Sequence, residues 1–345
     1  MPAPTSPSSA PLLPPPFFLG VDVGGTNIKL GLLDNEGQTL AYDSIATGDH
    51  GGAVSMREAA EACRQLARRA GVDFGDIVRA GLGAPGPMCL PSGMLLDPVN
   101  LPSWHNFPVR QALSDQLGLP VSFVNDANAA AFGEFWVGSG KQHNSLAMFT
   151  LGTGVGGGLI VEGQLIHGSN SFGSEVGHVV VNCRPDARQC VWGGGQGQLE
   201  AYASASAVAA EATAQLQAGA ESCLREVLAS GQPLTAKHIY QAALEDDAFS
   251  LKIIDEAAFY LGVGLTNLVH MIDPGLVLLG GAMNFGGRHC RIGQRFLAAV
   301  TAEFEKRTFP NVFAGTKIEF ASLGGDAGYI GAAGIAHQDY HAQTK

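Results

Sequence analysis

The fold of this chain is set by the stretch Phe17-Phe-Leu-Gly-Val-Asp-Val-Gly-Gly-Thr-Asn-Ile-Lys-Leu-Gly-Leu-Leu33. Its two short apolar runs, joined at a Gly-Gly-Thr turn, are typical of buried strands in a tight hairpin. Asp22 ends the first run and Lys29 lies in the second. Glycine backbone can approach an anion closely, and an acid beside it can hold a hydrated Mg²⁺. Taken alone, the stretch fits either a phosphate-binding hairpin or an ordinary Gly-Gly hairpin.

The composition bounds the class of protein. A chain of 345 residues is long enough for about two domains. Hydrophobic residues make up 46% and charged residues 15%, which permits a large core. The net charge of −11 argues against nucleic acid as a partner, because phosphate backbones require a basic face. No apolar run reaches the length of a membrane span, so we expect no membrane association.

The cysteines and the N-terminus predict a cytoplasmic protein. The six cysteines are scattered without C-x-x-C spacing, and no basic segment followed by an apolar core begins the chain. Reduced thiols are the default for this pattern. Residues 1–16 are rich in Pro, Ser and Ala, which predicts a disordered tail too short for a DNA-binding helix-turn-helix.

Strands alternate with helices along the rest of the chain, which predicts an α/β fold. A second hairpin, Leu146–Val161, repeats the order of strand, Gly/Thr turn and strand, and this repetition predicts two similar domains. We predict a small N-terminal lobe formed by residues 17–125 plus a C-terminal helix within 310–345, and a large lobe formed by 126–309. Further strands are predicted at 37–43, 76–83, 121–124, 276–279 and 317–320. Helices are predicted at 55–70, 109–117, 127–136, 204–216, 236–244, 249–271, 292–304 and 324–337.

Three glycine turns, at 24–26, 152–158 and 280–281, each follow a predicted buried strand. One such turn is weak evidence of a binding site, whereas three together indicate a nucleotide-binding clamp. The alternative is that each glycine serves only its own turn. None of them fits the P-loop pattern G-x-x-x-x-G-K-[ST].

Polar side chains that can carry chemistry lie close to these turns in sequence. Asp126 follows a predicted strand, where a carboxylate can take the proton of a phosphoryl acceptor, although Asp is also a common helix N-cap. Glu175, His178 and Glu200 can bind the vicinal hydroxyls of a sugar. The alternative for these three is surface glutamates and a core histidine.

The motifs as a set resemble the ROK sugar kinases (repressor, open reading frame, kinase), and bacterial glucokinases most. The matching motifs are Asp22-x-Gly-Gly-Thr-x-x-Lys29, Asn125-Asp-Ala-Asn128, Gly152-Thr-Gly-Val-Gly-Gly-Gly158, Glu175-x-Gly-His178 and Gly280-Gly281. They occur in the family's order over residues 17–335. The resemblance implies an actin-like (ribonuclease-H-like) two-domain ATPase fold with a cleft between the lobes. It also implies transfer of the γ-phosphoryl group of ATP to a hexose.

The resemblance assigns roles residue by residue. Asp126 is implied to be the catalytic base for the sugar 6-hydroxyl, and Asp22 to orient Mg²⁺ through water. The implied sugar ligands are Asn100 (in Asn100-Leu-Pro-Ser-Trp104), Asn125, Glu175, His178 and Glu200. The implied nucleotide-binding residues are Gly24, Gly25, Thr26, Lys29, Gly152, Thr153 and Gly154, with Gly280, Gly281 and Ala282 beside the adenosine.

This chain departs from the family at its zinc site. The family often carries C-x-C-x(4)-C-x-E, with the His of Glu-x-Gly-His as the fourth zinc ligand. The three cysteine positions here are Val191, Gly193 and Gln198, and Cys183 and Cys190 lie nearby at the wrong spacing. A structural zinc needs four ligands, so we predict that none is bound. His178 must then be oriented by other contacts.

The predicted activity is phosphorylation of glucose at the 6-hydroxyl, with ATP and Mg²⁺. Loop 91–95 offers no cation for an acetamide, which disfavours N-acetylmannosamine and N-acetylglucosamine as acceptors. The pattern also leaves open fructose as acceptor, polyphosphate as donor, a sugar-sensing repressor and a non-catalytic sugar-binding protein. The resemblance further implies a homodimer.

Overall fold

The computed structural model describes residues 14–191 and 194–344, which divide into two compact units. The first unit contains the chain up to Trp136 and again from Asp326, and the second is Val137–Gly325. Residues 1–13 of the predicted tail and Gly193 of the zinc motif lie outside the described residues.

The strands are numbered in chain order. They are β1 (Phe17–Val23), β2 (Asn27–Leu33), β3 (Thr39–Ala46), β4 (Ile77–Ala84), β5 (Met88–Cys89), β6 (Met94–Leu95), β7 (Val121–Asn125), β8 (Leu146–Leu151), β9 (Val155–Val161), β10 (Gln164–Leu165), β11 (Leu276–Gly280) and β12 (Lys317–Phe320).

The helices follow the same convention. They are α1 (Gly52–Ala70), α2 (Val109–Leu117), α3 (Asp126–Trp136), α4 (Glu200–Ala203), α5 (Ala205–Gln217), α6 (Arg225–Ala229), α7 (Ala236–Leu244), α8 (Ala248–Ile272), α9 (Arg291–Arg307), α10 (Pro310–Gly315) and α11 (Ala327–Gln343). Among the described residues, no helix is both long and apolar enough to cross a membrane.

The sheet of the first unit has the order β3-β2-β1-β4-β7. β1 to β3 pair antiparallel, whereas β4 and β7 run parallel to β1. Leu19 and Val21 pack with α1 in the apolar core, and Phe18, on the other face of β1, packs edge-on against His337 of α11. Because β1 is covered on both faces, its sequence is a nearly continuous apolar run.

Glycines allow α11 to pack directly on this sheet. A Cβ at Gly81 of β4 would overlap the carbonyl oxygen of Ala332, and a Cβ at Gly20 of β1 would overlap that of Tyr329. Only residues without side chains permit such a close approach of helix backbone to sheet. This packing fixes the start of α11 beside the carboxyl end of β1.

The second unit repeats the first sheet's topology, with the order β10-β9-β8-β11-β12. β8 to β10 pair antiparallel, and β11 and β12 are parallel to β8. The duplication predicted from the two hairpins is therefore present in the sheets. An apolar core that includes Phe149, Leu261 and Phe296 joins this sheet to α8 and α9.

The division of the chain differs from the predicted lobes at both boundaries. α3 belongs to the first unit, where it packs on α11, and the stretch with α10 and β12 belongs to the second. β12 joins the second unit because it pairs parallel with β11. The predicted boundaries at 125/126 and 309/310 therefore lie inside the units.

Element ends also differ locally from prediction. β3 begins at Thr39 rather than Gly37, because the Asp34 Oδ1 atom accepts the N–H groups of Glu36 (2.9 Å) and Gln38 (2.8 Å). Gly37 has a φ of +81° within that turn. α11 begins at Ala327, after a 3-10 turn over Gly324–Asp326, and runs to Gln343. The short elements β5, β6, β10, α4, α6 and α10 were not predicted, since none is long enough to show a periodic pattern.

Candidate active site

The predicted site residues form one set in each unit. The first unit carries Asp22, Gly24, Gly25, Thr26, Lys29, Asn100, Asn125 and Asp126. The second carries Gly152, Thr153, Gly154, Glu175, His178, Glu200, Gly280, Gly281 and Ala282. Each set includes a glycine turn that follows a buried strand, β1 in the first unit and β8 in the second.

The turn between β1 and β2 presents backbone donors. The Gly24 N–H donates to Asn27 O (2.9 Å), and Thr47 braces the turn from outside, its hydroxyl donating to Gly24 O (2.7 Å). The Thr47 N–H donates to Thr26 O (2.9 Å). Within the described chain, the N–H groups of Gly25 and Thr26 have no protein acceptor. Two exposed adjacent donors are what an anion such as phosphate requires.

Asn100 lies against this turn. A Cβ added at Gly25 would come within 3.3 Å of the Asn100 Cβ, a tight contact that glycine avoids. The segment that carries Asn100 is anchored by Trp104, which is fully buried and packs edge-on against Phe107. The structure thus brings a predicted sugar ligand next to a predicted phosphate-binding turn.

Asp22 is partly buried at the carboxyl end of β1, opposite Lys29 on β2 and Gly83 on β4. Burial and, to a smaller extent, the negative charge of Asp126 raise the pKa of the Asp22 carboxyl to about 7, and Lys29 opposes the shift. A Cβ at Gly328 would overlap the Asp22 carboxylate, so the second residue of α11 must be small.

Asp126 is the first residue of α3, directly after β7. The cap of this helix is Asn125, whose Oδ1 atom accepts the N–H groups of Ala127 (3.0 Å) and Asn128 (3.2 Å). Burial raises the pKa of the Asp126 carboxyl, and the Ala127 N–H, which donates to Asp126 Oδ1 (2.8 Å), opposes the shift. The interpretation of Asp126 as the N-cap is wrong, because the preceding residue performs that role.

The turn between β8 and β9 has the same character as the first. The Gly152 N–H donates to Gly154 O (3.0 Å), and Gly152 O accepts the N–H of Ala205 at the start of α5 (2.8 Å). In the described ranges, no protein acceptor is found for the N–H groups of Thr153 and Gly154. The second unit therefore offers its own pair of donors at the equivalent place in its sheet.

Glu200 lies directly against this second turn. Its Oε2 atom accepts the Val155 N–H (2.8 Å), and a Cβ at Gly154 would overlap that same oxygen. Glu200 is the first residue of the short helix α4. A predicted sugar ligand again lies beside a predicted phosphate-binding turn.

The third glycine turn adjoins the second. Gly281 has a φ of +90°, which favours glycine, and a Cβ there would overlap the carbonyl oxygen of Leu151. That oxygen accepts the Met283 N–H (2.9 Å). Because β8 and β11 are parallel neighbours, the turns after them meet at one sheet edge, where α/β proteins bind ligands.

Glu175 and His178 lie at the two ends of one 3-10 turn. The His178 Nε2 atom is 3.7 Å from Glu175 Oε2, and its Nδ1 atom is 3.0 Å from Gln198 Oε1. Gln198 occupies the third cysteine position of the family's zinc motif. In this chain the His178 ring therefore contacts the Gln198 side chain at the position where the resemblance implies a zinc ligand.

Three residues of the site were not predicted in these roles. Thr47 braces the first turn, Gly328 leaves room for the Asp22 carboxylate, and Gln198 contacts His178. Only Gln198 carried a signal in the sequence, since it stands where a zinc ligand was expected. The roles of the other two arise from packing between distant segments, which no local pattern encodes.

The comparisons with known proteins agree with the motif pattern. The ROK family model matches residues 18–339. A glucokinase of Halalkalibacterium halodurans is 34% identical over 330 residues, covering 95% of this chain and 97% of that protein.

Solved structures show the same relationship. A ROK hexokinase from Thermus thermophilus has a TM-score of 0.81 at 30% identity, covering 94% of this chain and 99% of that one. A ROK family glucokinase from Streptomyces griseus, solved with glucose and AMPPNP, has a TM-score of 0.72 at 30% identity, covering 93% and 99%. These matches confirm the predicted resemblance and the actin-like sugar kinase fold. The chain belongs to the ROK family.

Proposed function

We propose that this chain transfers the γ-phosphoryl group of ATP to the 6-hydroxyl of a hexose, and that glucose is its preferred acceptor. The observation that carries this proposal concerns the Asp126 carboxyl. Burial raises its pKa, and the cap of α3 is Asn125 rather than Asp126. A carboxylate within hydrogen-bond reach of a hydroxyl can take its proton as the oxygen attacks phosphorus. The raised pKa makes the ionised carboxylate a stronger base.

The acceptor sugar is held by side chains that accept and donate hydrogen bonds. In the second unit, Glu175, His178 and Glu200 offer carboxylate and imidazole groups to sugar hydroxyls. In the first unit, Asn100 offers an amide. Asn125 uses its Oδ1 atom for capping, so its Nδ2 atom is the group it can offer to a hydroxyl. Alternating donors and acceptors suit a polyol better than an apolar ligand.

The donor nucleotide is bound by backbone. The N–H groups of Gly25, Thr26, Thr153 and Gly154 are directed to no protein acceptor in the described chain and suit phosphate oxygens. Lys29, close enough to Asp22 to influence its pKa, adds a positive charge. Gly280, Gly281 and Ala282, in the turn that follows β11, are assigned to the adenosine side.

Magnesium fits the carboxylates of the first unit. Hard oxygen donors are the ligands that Mg²⁺ prefers, and Asp22 and Asp126 repel each other strongly enough to raise the Asp22 pKa. Asp22 would hold the ion through water. When bound with ATP, the ion supplies neutralisation of the phosphate charge.

Glucose is favoured over other hexoses by two observations. The Halalkalibacterium halodurans relative is named a glucokinase and matches over nearly its full length. The loop that follows β5 supplies no Lys or Arg between residues 91 and 95 that would bind an acetamide. N-acetylhexosamines, fructose and polyphosphate are the competitors to be tested.

The variant Asp126→Asn tests the proposal. We expect kcat to fall by about 10³-fold, because the general base is lost, while the glucose Kd changes by less than about 3-fold. The matched control is Asp186→Asn, which removes the same charge from an exposed loop. Turnover of Asp126→Asn within a few-fold of the parent would remove Asp126 from the role of base.

Two coarser properties belong to the same proposal. Six cysteines without disulfides support a reducing compartment such as the cytoplasm. The family membership supports a homodimer, which sedimentation of the purified chain tests directly.

A further inference from the structure

The zinc site of the family does not fit the residues of this chain. Val191 is apolar, Gln198 is a neutral amide, and Gly193 has no side chain. In the described part of the chain, no cluster of three or more His, Cys, Asp or Glu side chains could hold a metal ion. The lack of zinc stays a prediction, but the donor chemistry at these positions is that of hydrogen bonding.

Gln198 occupies the centre of the group that remains. Its Oε1 atom lies 3.0 Å from His178 Nδ1 and accepts a hydrogen bond from the Cys190 thiol (3.4 Å). A carboxamide oxygen can only accept, so with Oε1 on this side of the amide its two partners are donors. In this arrangement the His178 Nδ1 atom carries the proton.

The backbone around Gln198 is built to hold it. A Cβ at Gly195 would overlap the Gln198 carboxamide, so glycine is needed there to admit the amide. Gln198 pairs in an antiparallel bridge with Val180, and the next residue, Leu199, donates its N–H to Val179 O (2.9 Å). These contacts tie the amide to the segment that begins just after His178.

A second network fixes the rest of the loop. The Arg188 guanidinium contacts Glu211 (2.9 Å) and Glu256 (2.5 Å) and lies over the ring of Tyr202 at 4.8 Å. The Tyr202 hydroxyl accepts the Arg188 N–H (2.9 Å) and the Asn182 side-chain amide (2.9 Å). The loop is thus pinned to α4, α5 and α8 by hydrogen bonds and ion pairs, with no need for a metal as a cross-link.

We infer that Gln198 is a positioning residue that replaces zinc in orienting His178 and that it reverses the hydrogen-bonding polarity of the ring. A metal takes the lone pair of one imidazole nitrogen, so the other nitrogen of a metal-bound ring carries the proton and donates. With Nδ1 protonated by its bond to Gln198, the neutral ring keeps its lone pair on Nε2, which lies 3.7 Å from Glu175 Oε2, beyond hydrogen-bond length. His178 therefore accepts the proton of a sugar hydroxyl, whose oxygen is then free to accept from another donor.

The first test reads the ring directly and does not depend on catalysis. In alkaline buffer, where imidazoles are neutral, ¹⁵N NMR of histidine-labelled protein distinguishes protonated Nδ1 from protonated Nε2. The variant His178→Asn assigns the signal. We expect protonated Nδ1 in the parent and in Gln198→Glu, whose carboxylate still accepts, and loss of that preference in Gln198→Met. Protonated Nε2 in the parent, or one tightly held zinc per purified chain, would overturn the inference.

The second test measures the sugar site and rests on the proposed function. We expect Gln198→Met to raise the KM for glucose by about 10-fold with kcat and the KM for ATP nearly unchanged, and Gln198→Glu to restore the KM to within about 3-fold. The control Gln196→Met alters an amide of the same loop that donates to Pro185 O and Ala187 O and should leave the glucose KM unchanged. An unchanged glucose KM in Gln198→Met contradicts the inference about Gln198. A parent protein that phosphorylates no sugar contradicts the proposed function instead, and the NMR experiment then decides the inference about Gln198.

Discussion

Asp22 and Asp126 both lie in the first unit. Burial is the main reason that the pKa of each carboxyl is above the ordinary value of aspartate. Each carboxylate is costly to ionise in the folded protein. For Asp126, our proposed base, we expect an effect on the rate, since a base must be deprotonated to act. The acid limb of the rate profile should therefore lie at higher pH than an exposed aspartate would give.

Asp22 should make the free energy of unfolding depend on pH. The pKa of its carboxyl is about 7 in the folded chain against a usual 3.8, so between these values the folded state holds the proton that the unfolded state has lost. Stability therefore falls as the pH rises from about 4 to about 7. In magnesium-free buffer at pH 8, we expect Asp22→Asn to be more stable than the parent by on the order of 2 kcal/mol.

The measurement is urea unfolding of both proteins at pH 4.5 and pH 8, with Asp186→Asn as the exposed control. The stabilisation by Asp22→Asn should be largest at pH 8 and small at pH 4.5. An equal effect at both pH values, or destabilisation at pH 8, would show that the Asp22 carboxyl is not costly to ionise.

The sequence predicted which polar residues lie at the strand ends, but not which of them caps the following helix. The sequence offered Asp126 as a possible cap of the helix that follows, but Asn caps helices as well as Asp does. The structure decides it because β7 extends to Asn125 and α3 begins at Asp126. Gln198 was visible only as a missing cysteine, since its contact with His178 depends on a loop whose course the sequence does not encode locally.

At the scale of elements, the capped start of α3 holds the proposed base in place. We expect Asn125→Ala to cost about 1 kcal/mol of unfolding free energy, because two N–H groups of the first turn lose their acceptor. Asn125→Asp should keep that stability, since its carboxylate can cap, but should raise the glucose KM because the Nδ2 donor is lost.

Thr235→Ala, which removes the cap of α7, is the control for this pair of variants. It should cost similar stability without altering the glucose KM. If Asn125→Asp lowered stability as much as Asn125→Ala does, the capping role would be wrong.

The helix α11 packs unusually close to the sheet of the first unit, because glycines such as Gly81 leave room for its backbone. Gly81→Ala places a methyl group on the backbone oxygen of Ala332, which cannot move without shifting α11. We expect a loss of about 3 kcal/mol in unfolding free energy, together with reduced activity, because Gly328 beside Asp22 moves with the helix.

Gly315→Ala is the matched control, since a Cβ there meets nothing within 4 Å. Chemical denaturation of both variants measures the difference. Equal stabilities would show that the sheet tolerates a wider spacing from α11 and that the glycine is not required.

Long elements were predicted well because burial imposes a regular pattern on them. β1 is apolar throughout since both faces are covered, and the interior positions of α8 recur at helical spacing. The two-residue strands, such as β5, and the helices of four to six residues, such as α10, carry too few positions to show a period. The start of β3 was misplaced because one side chain, Asp34, extends the preceding turn.

At the scale of the whole molecule, one sheet topology is used twice. Each copy presents a glycine turn with two backbone N–H groups that meet no protein acceptor among the described residues. The repetition was readable because both hairpins survive in the sequence. The unit boundaries were not, since β12 joins the second unit by pairing with β11, and α3 joins the first by packing on α11. Such long-range choices have no local signature.

The proposed kinase is tested most directly by incubating the purified full-length chain with ATP, Mg²⁺ and a panel of sugars, while ADP release is followed and the product is identified by NMR. The panel comprises glucose, fructose, N-acetylmannosamine and N-acetylglucosamine, with polyphosphate as a second donor. The structure and family predict glucose 6-phosphate as the product, with the highest kcat/KM for glucose and ATP. Failure to phosphorylate any hexose, or a higher kcat/KM for an N-acetylhexosamine, would contradict it.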